Sequence, residues 1–126
     1  MTAPNIKSPV NIIGKTYVGS IGGTNHAAPT MLLENSDASG KVYRVNTIIV
    51  SSTGSLDTEV SVQVHDGSSS AYLVKELHIP KFSAQVIITK ETYLYMEEDY
   101  EIRAARTTGG SNTASITISY EIISWS

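Results

Sequence analysis

The chain has 126 residues, a net charge of −3, 17% charged residues and no cysteine, which is the size of one domain. Its nine Lys and Arg are scattered, so it offers no basic face for nucleic acid. The lack of cysteine excludes disulfides, thiolate chemistry and cysteine-based zinc sites, and points to folding in a reducing cytoplasm.

Residues 1–10 carry Pro4 and Pro9, which disfavour both helix and central strand. This predicts an extended N-terminal arm, either disordered in isolation or laid across a neighbouring subunit. Residues 11–126 form the single folded domain. Fourteen Ile and ten Val against six Leu tilt its apolar set toward β-branched residues, which are stiff at χ1 and suit a pleated surface. Seventeen Ser and thirteen Thr fit solvent-facing strand positions and turns.

In chain order, strands are predicted at 11–21, 30–34 and 41–52, with a turn at 21–25 and a loop at 35–40. The third is the strongest, and its Ile48-Ile49-Val50 centre suits burial on both faces. Next come 58–65, where Val60, Val62 and Val64 alternate with Glu59, Ser61, Gln63 and His65, and 72–79, ending at Pro80. Segments 85–89 and 93–96 follow, separated by Lys90 and Glu91, and then 100–105. A hairpin-like turn at 107–111 leads to the last strand, 114–125, where Ile116, Ile118, Tyr120 and Ile122 alternate with Thr117, Ser119 and Glu121. A period of two places each apolar set on one sheet face. About eight strands at this spacing predict an all-β, antiparallel sandwich of jelly-roll or immunoglobulin-like type.

Candidate chemistry is sparse. His26, His65 and His78 have no ligand partner at local spacing. His65 beside Asp66 lacks the serine elbow of a hydrolase triad. Glu97-Glu98-Asp99 is read as a solvated acidic turn rather than a paired-carboxylate or cation site. The loop 66–70 lacks calcium-hand spacing, and the glycines near 22 and 109 lack a phosphate-loop tail. Neither a cofactor nor a metal is expected. The aromatic set is tyrosine-rich, which suits interfaces and core margins. If Leu94 and Met96 point inward, Tyr93 and Tyr95 form an exposed stripe, the best contact candidate beside arm residues Pro4, Asn5, Ile6 and Pro9. No segment approaches signal-peptide or transmembrane length, which predicts a soluble chain without a membrane partner.

From Gly40 onward the chain resembles short virion structural proteins of tailed phages, especially phages of marine cyanobacteria. The likeness is carried by GKVYRVNTIIVSS (40–52), VSVQVHD (60–66), YLVKELHIP (72–80), LYMEED (94–99) and SYEIIS (119–124). The opening MTAPNI and the IIGKT at 12–16 fit the same pattern. The family tends to have Glu-Glu-Gly-Asp at the acidic corner, where this chain has Glu97-Glu98-Asp99-Tyr100 and lacks the glycine. The resemblance implies a non-enzymatic β-sandwich subunit of the virion, assembled in the host cytoplasm. The expected role is capsid decoration, with the major capsid protein or other virion proteins as partners and self-association into a homo-oligomer. A neck, tail or fibre component, or a carbohydrate-binding module, is the alternative.

Overall fold

Alternating β-branched segments extend where the period of two predicts them. The computed structural model describes residues 11–108 and 113–125. Within these it has nine strands: β1 (Asn11–Ser20), β2 (Thr30–Glu34), β3 (Lys41–Ser52), β4 (Thr58–His65), β5 (Ser70–Ile79), β6 (Ala84–Ile88), β7 (Leu94–Met96), β8 (Glu101–Arg106) and β9 (Ala114–Ser124). The arm expected over 1–10 lies outside the described residues.

The strands form two antiparallel sheets. The first is ordered β1–β9–β3, with β6 and β7 both paired to the far side of β3; the second is β2–β8–β4–β5. β7 lies against Tyr43–Val45 and β6 against Ile48–Ser51, so the two are halves of one edge run. A 3-10 turn at Lys90–Thr92 breaks that run. It is closed by Thr89 N–H donating to Thr92 Oγ1 (2.9 Å) and Thr92 N–H donating to the Thr89 carbonyl (3.0 Å). Counted once, the broken run makes this an eight-stranded sandwich.

Only β4 and β5 form a hairpin within one sheet. Apart from the break between β6 and β7, every other connection crosses between sheets. An immunoglobulin sandwich keeps several sequential strands side by side, whereas this order is that of a jelly-roll. The hairpin-like turn expected at 107–111 falls largely outside the described residues; the strands on either side, β8 and β9, belong to opposite sheets.

The core lies between the sheets. Val45, Ile48, Val50, Ile116 and Ile118 from the first meet Leu33, Val60, Val62 and Ile102 from the second, with Met96 and Ile79 also fully buried. Ile49 departs from expectation. The outer face of the first sheet is uncovered there, so Ile49 is 37% exposed while Ile48 and Val50 are buried.

The outer face of the second sheet is partly covered, which explains why Ser61 and Gln63 are buried although alternation placed them toward solvent. The β1–β2 loop folds over Ser61, whose Oγ lies 2.7 Å from His26 Nδ1. Tyr72 OH donates to the His26 carbonyl. Arg106 Nε donates to the Ile21 carbonyl at 2.8 Å, and Arg106 N–H donates to the Gly23 carbonyl at 2.9 Å. Across β4, register shifts at 74–77 bulge β5 and put Glu76 at φ 53°, and its N–H donates to Ser61 Oγ at 2.9 Å.

Candidate functional site

Strand register assembles the outer face of the first sheet row by row. One row reads Val18 (β1), Thr117 (β9), Ile49 (β3), Val86 (β6). Val18 is 74% and Val86 56% exposed, so three β-branched side chains from three strands share one open surface. Beside it run Ser20, Ser115, Ser51 and Ala84, with a Ser51–Ser115 hydroxyl bond of 2.7 Å. Toward the other end lie Thr16, Ser119 and Thr47. These three rows carry no charge. Phe82, in the turn entering β6, is also exposed.

The charged part of this face is one row further on: Gly14, Glu121, Arg44, Tyr95. Leu94 and Met96 do point into the core, so Tyr93 and Tyr95 emerge together, edge to face, with centroids 5.5 Å apart. The Arg44 guanidinium carbon sits 4.1 Å from the Tyr93 ring centroid, a cation–π arrangement. Arg44 Nη1 is 4.0 Å from Glu121 Oε1, and Asn46 Nδ2 donates to the same oxygen at 2.9 Å. Arg44 Nε and Asn46 Oδ1 are buried without a hydrogen-bond partner among the described residues. A Cβ placed on Gly14 meets nothing within 4 Å, so the row ends in open space.

Of the residues expected to make contacts, Tyr93 and Tyr95 are thus brought together, while Pro4, Asn5, Ile6 and Pro9 lie outside the described residues. Arg44, Asn46, Glu121, Gly14, Val18, Ile49 and Val86 join the surface only through register. No local spacing announced them, because residues on four different strands share a row only once pairing is known.

The histidines have structural partners. The fully buried Ser61 Oγ accepts the Glu76 N–H, which leaves its proton for His26 Nδ1. His65 Nδ1 lies 2.8 Å from Ser70 Oγ, and His78 Nε2 lies 3.3 Å from Asp57 Oδ2. Asp66 does not orient His65. Its Oδ1 accepts the Ser69 and Ser68 N–H groups at 2.7 and 3.0 Å, and these bonds, Ser69's first, hold its carboxyl below the ordinary range. Burial, with Glu97 accepting its proton, pushes the Tyr100 hydroxyl up; burial beside Tyr43 raises Tyr120.

The acidic corner works as a joint. Glu98 Oε2 accepts the Gly40 N–H (3.0 Å), Glu97 Oε2 accepts the Tyr100 hydroxyl (3.2 Å), and Asp99 N–H donates to the Asn35 carbonyl (2.8 Å). Asp99 adopts φ 72°, the left-handed conformation that glycine adopts most readily. Asn35 is fully buried at the centre of this joint. Its Nδ2 donates to the Lys41 (2.8 Å) and Met96 (3.0 Å) carbonyls, and its Oδ1 accepts the Ser39 hydroxyl (2.6 Å). Among the described residues, no three His, Asp or Glu side chains converge as a metal site would require.

No protein-family model matches the chain, and no curated protein matches its sequence.

Proposed function

We propose that the chain is a structural subunit of a tailed-phage virion, acting without catalysis as a decoration protein on the outer capsid shell. The observation that carries this reading is the outer face of the first sheet, where Val18, Ile49 and Val86 stand exposed among uncharged Ser and Thr rows. Exposed apolar side chains grouped in one row and rimmed by small polar groups suit a protein contact surface. The occupant in this reading is the major capsid protein, presented many times over the shell, so that a modest contact gains by avidity. The resemblance over residues 40–124 supports the same assignment.

Particles stripped of the protein are expected to lose thermal and osmotic robustness and to regain it when the recombinant chain is added back. Val18→Lys with Ile49→Lys should bind stripped particles about tenfold more weakly, because two charges then require desolvation at the contact. Robustness that survives stripping would remove the decoration role, and a low copy number per particle would move the protein to the neck, tail or a fibre.

The row Tyr95–Arg44–Glu121, with Tyr93 beneath the guanidinium, favours a second reading as a carbohydrate-binding module. Aromatic faces flanked by planar polar groups suit sugar rings and their hydroxyls. In the same assay, Tyr93→Ala plus Tyr95→Ala discriminates the two. A glycan module loses glycan or cell binding and keeps its hold on stripped particles, whereas a decoration protein with no glycan site shows no glycan binding to lose.

A further inference from the structure

Each sheet edge presents unpaired backbone N–H and C=O groups to solvent, and natural sandwiches blunt such edges with short strands, bulges, charges or breaks. Three of the four edges here are blunted. β2 has five residues and a register shift between Met31 and Leu33. β5 is bulged twice and carries Lys75 and Glu76 at the bulge. The β6/β7 edge is broken by the turn holding Lys90 and Glu91. Among the described residues β1 is the least blunted, with one charge and neither a bulge nor a break. Its ten residues pair with β9 from Asn11↔Ser124 to Ser20↔Ser115 without a shift, and Lys15 is its one charge.

The geometry points to β1 as a strand-pairing edge whose occupant is β1 of a second copy of this chain, antiparallel about a two-fold axis at Thr16. The inference does not depend on the virion assignment. A two-fold axis normal to the sheet keeps outer residues beside outer residues, so the axis must pass through a residue rather than between two. Axes at Lys15 and at Thr16 pair 11–19 and 12–20 with themselves, strands of equal length. The Lys15 axis sets two like charges directly opposite, which is destabilising. At Thr16, Lys15 instead faces the partner's Tyr17, a half-buried and uncharged side chain packed against the core. Val18 then faces the partner's Gly14, above which a Cβ meets nothing within 4 Å. The exposed β-branched side chain of each copy fills the open space of the other, and the first sheet becomes continuous across both copies.

The chain contains no cysteine, so single cysteines report the register directly. Directly opposed residues in an antiparallel pair have Cα atoms about 4.5–5.5 Å apart, within disulfide reach. Under mild oxidation, Thr16→Cys is expected to form a covalent dimer of the full-length chain. Gly14→Cys and Val18→Cys alone should not, yet mixed together they should cross-link to one another. Sedimentation of the unmodified chain over a concentration series should show a monomer–dimer equilibrium. A chain that stays monomeric throughout, or one that cross-links through Gly14 alone or Val18 alone, would overturn the Thr16-centred pair. Circular dichroism matching the parent confirms that each variant retains the sheets.

Discussion

Replacing Asn35 with alanine is expected to lower the unfolding free energy by about 3–5 kcal/mol. The side chain is fully buried and uses both amide protons and its carbonyl oxygen on three different partners. Alanine would take the donor from the buried Met96 carbonyl and from the half-buried Lys41 carbonyl, at about 1–3 kcal/mol each, and would free the Ser39 hydroxyl. The backbone of Asn35 adds to the joint, since its N–H donates to the Tyr100 carbonyl and its carbonyl accepts from Asp99. The substitution therefore loosens the start of β3, the end of β7 and the acidic corner together. Urea unfolding measures the effect as a fall in midpoint at unchanged slope. Asn35→Asp should cost at least as much, because a carboxylate then confronts two carbonyl oxygens. A loss below about 1 kcal/mol in Asn35→Ala would show that water replaces the amide at little cost.

Asn35 also illustrates what the sequence conveys and what it withholds. The run 35–40 reads correctly as a loop, yet nothing in its composition separates the buried asparagine from the exposed Ser36 and Asp37 beside it. The distinction depends on partners near positions 41 and 96, which only the tertiary fold supplies. Strand positions were far more legible, because β-branched alternation is local: β2, β3 and β4 begin and end where the pattern places them. Sheet membership was not. The Thr107–Thr108 turn residues look the same whether the chain doubles back or crosses to the other sheet. Ser61 shows the same limit, since alternation gives its face correctly but cannot show that the His26 loop covers that face. For the candidate surface, inward-facing Leu94 and Met96 made the tyrosine pair readable, whereas the apolar row needed the register of four strands.

Ile118→Ala is the second large effect expected, about 4 kcal/mol of lost stability, in the upper part of the range for such truncations. Ile118 is fully buried on β9, flanked in register by Tyr17 on β1 and Ile48 on β3, with Ile88 next on β6. How much a truncation costs depends on how far neighbours move into the void. Here two of the three row partners are β-branched and held near one χ1 rotamer, and β9 is hydrogen-bonded along both sides. Neither the side chains nor the strand can close readily over the gap. Ile118→Val removes one methylene and should cost only about 1 kcal/mol, so the ratio between the two variants is the informative quantity. Equilibrium denaturation of both, with equal slopes, gives that ratio. If alanine costs less than about 2 kcal/mol, the core relaxes despite its β-branched lining, and the rigidity inferred from the Ile and Val content would be wrong. If the ratio holds, close packing on the inner faces of β1, β9, β3 and β6 holds these strands in register. That register is what sets Val18, Ile49 and Val86 side by side on the opposite face.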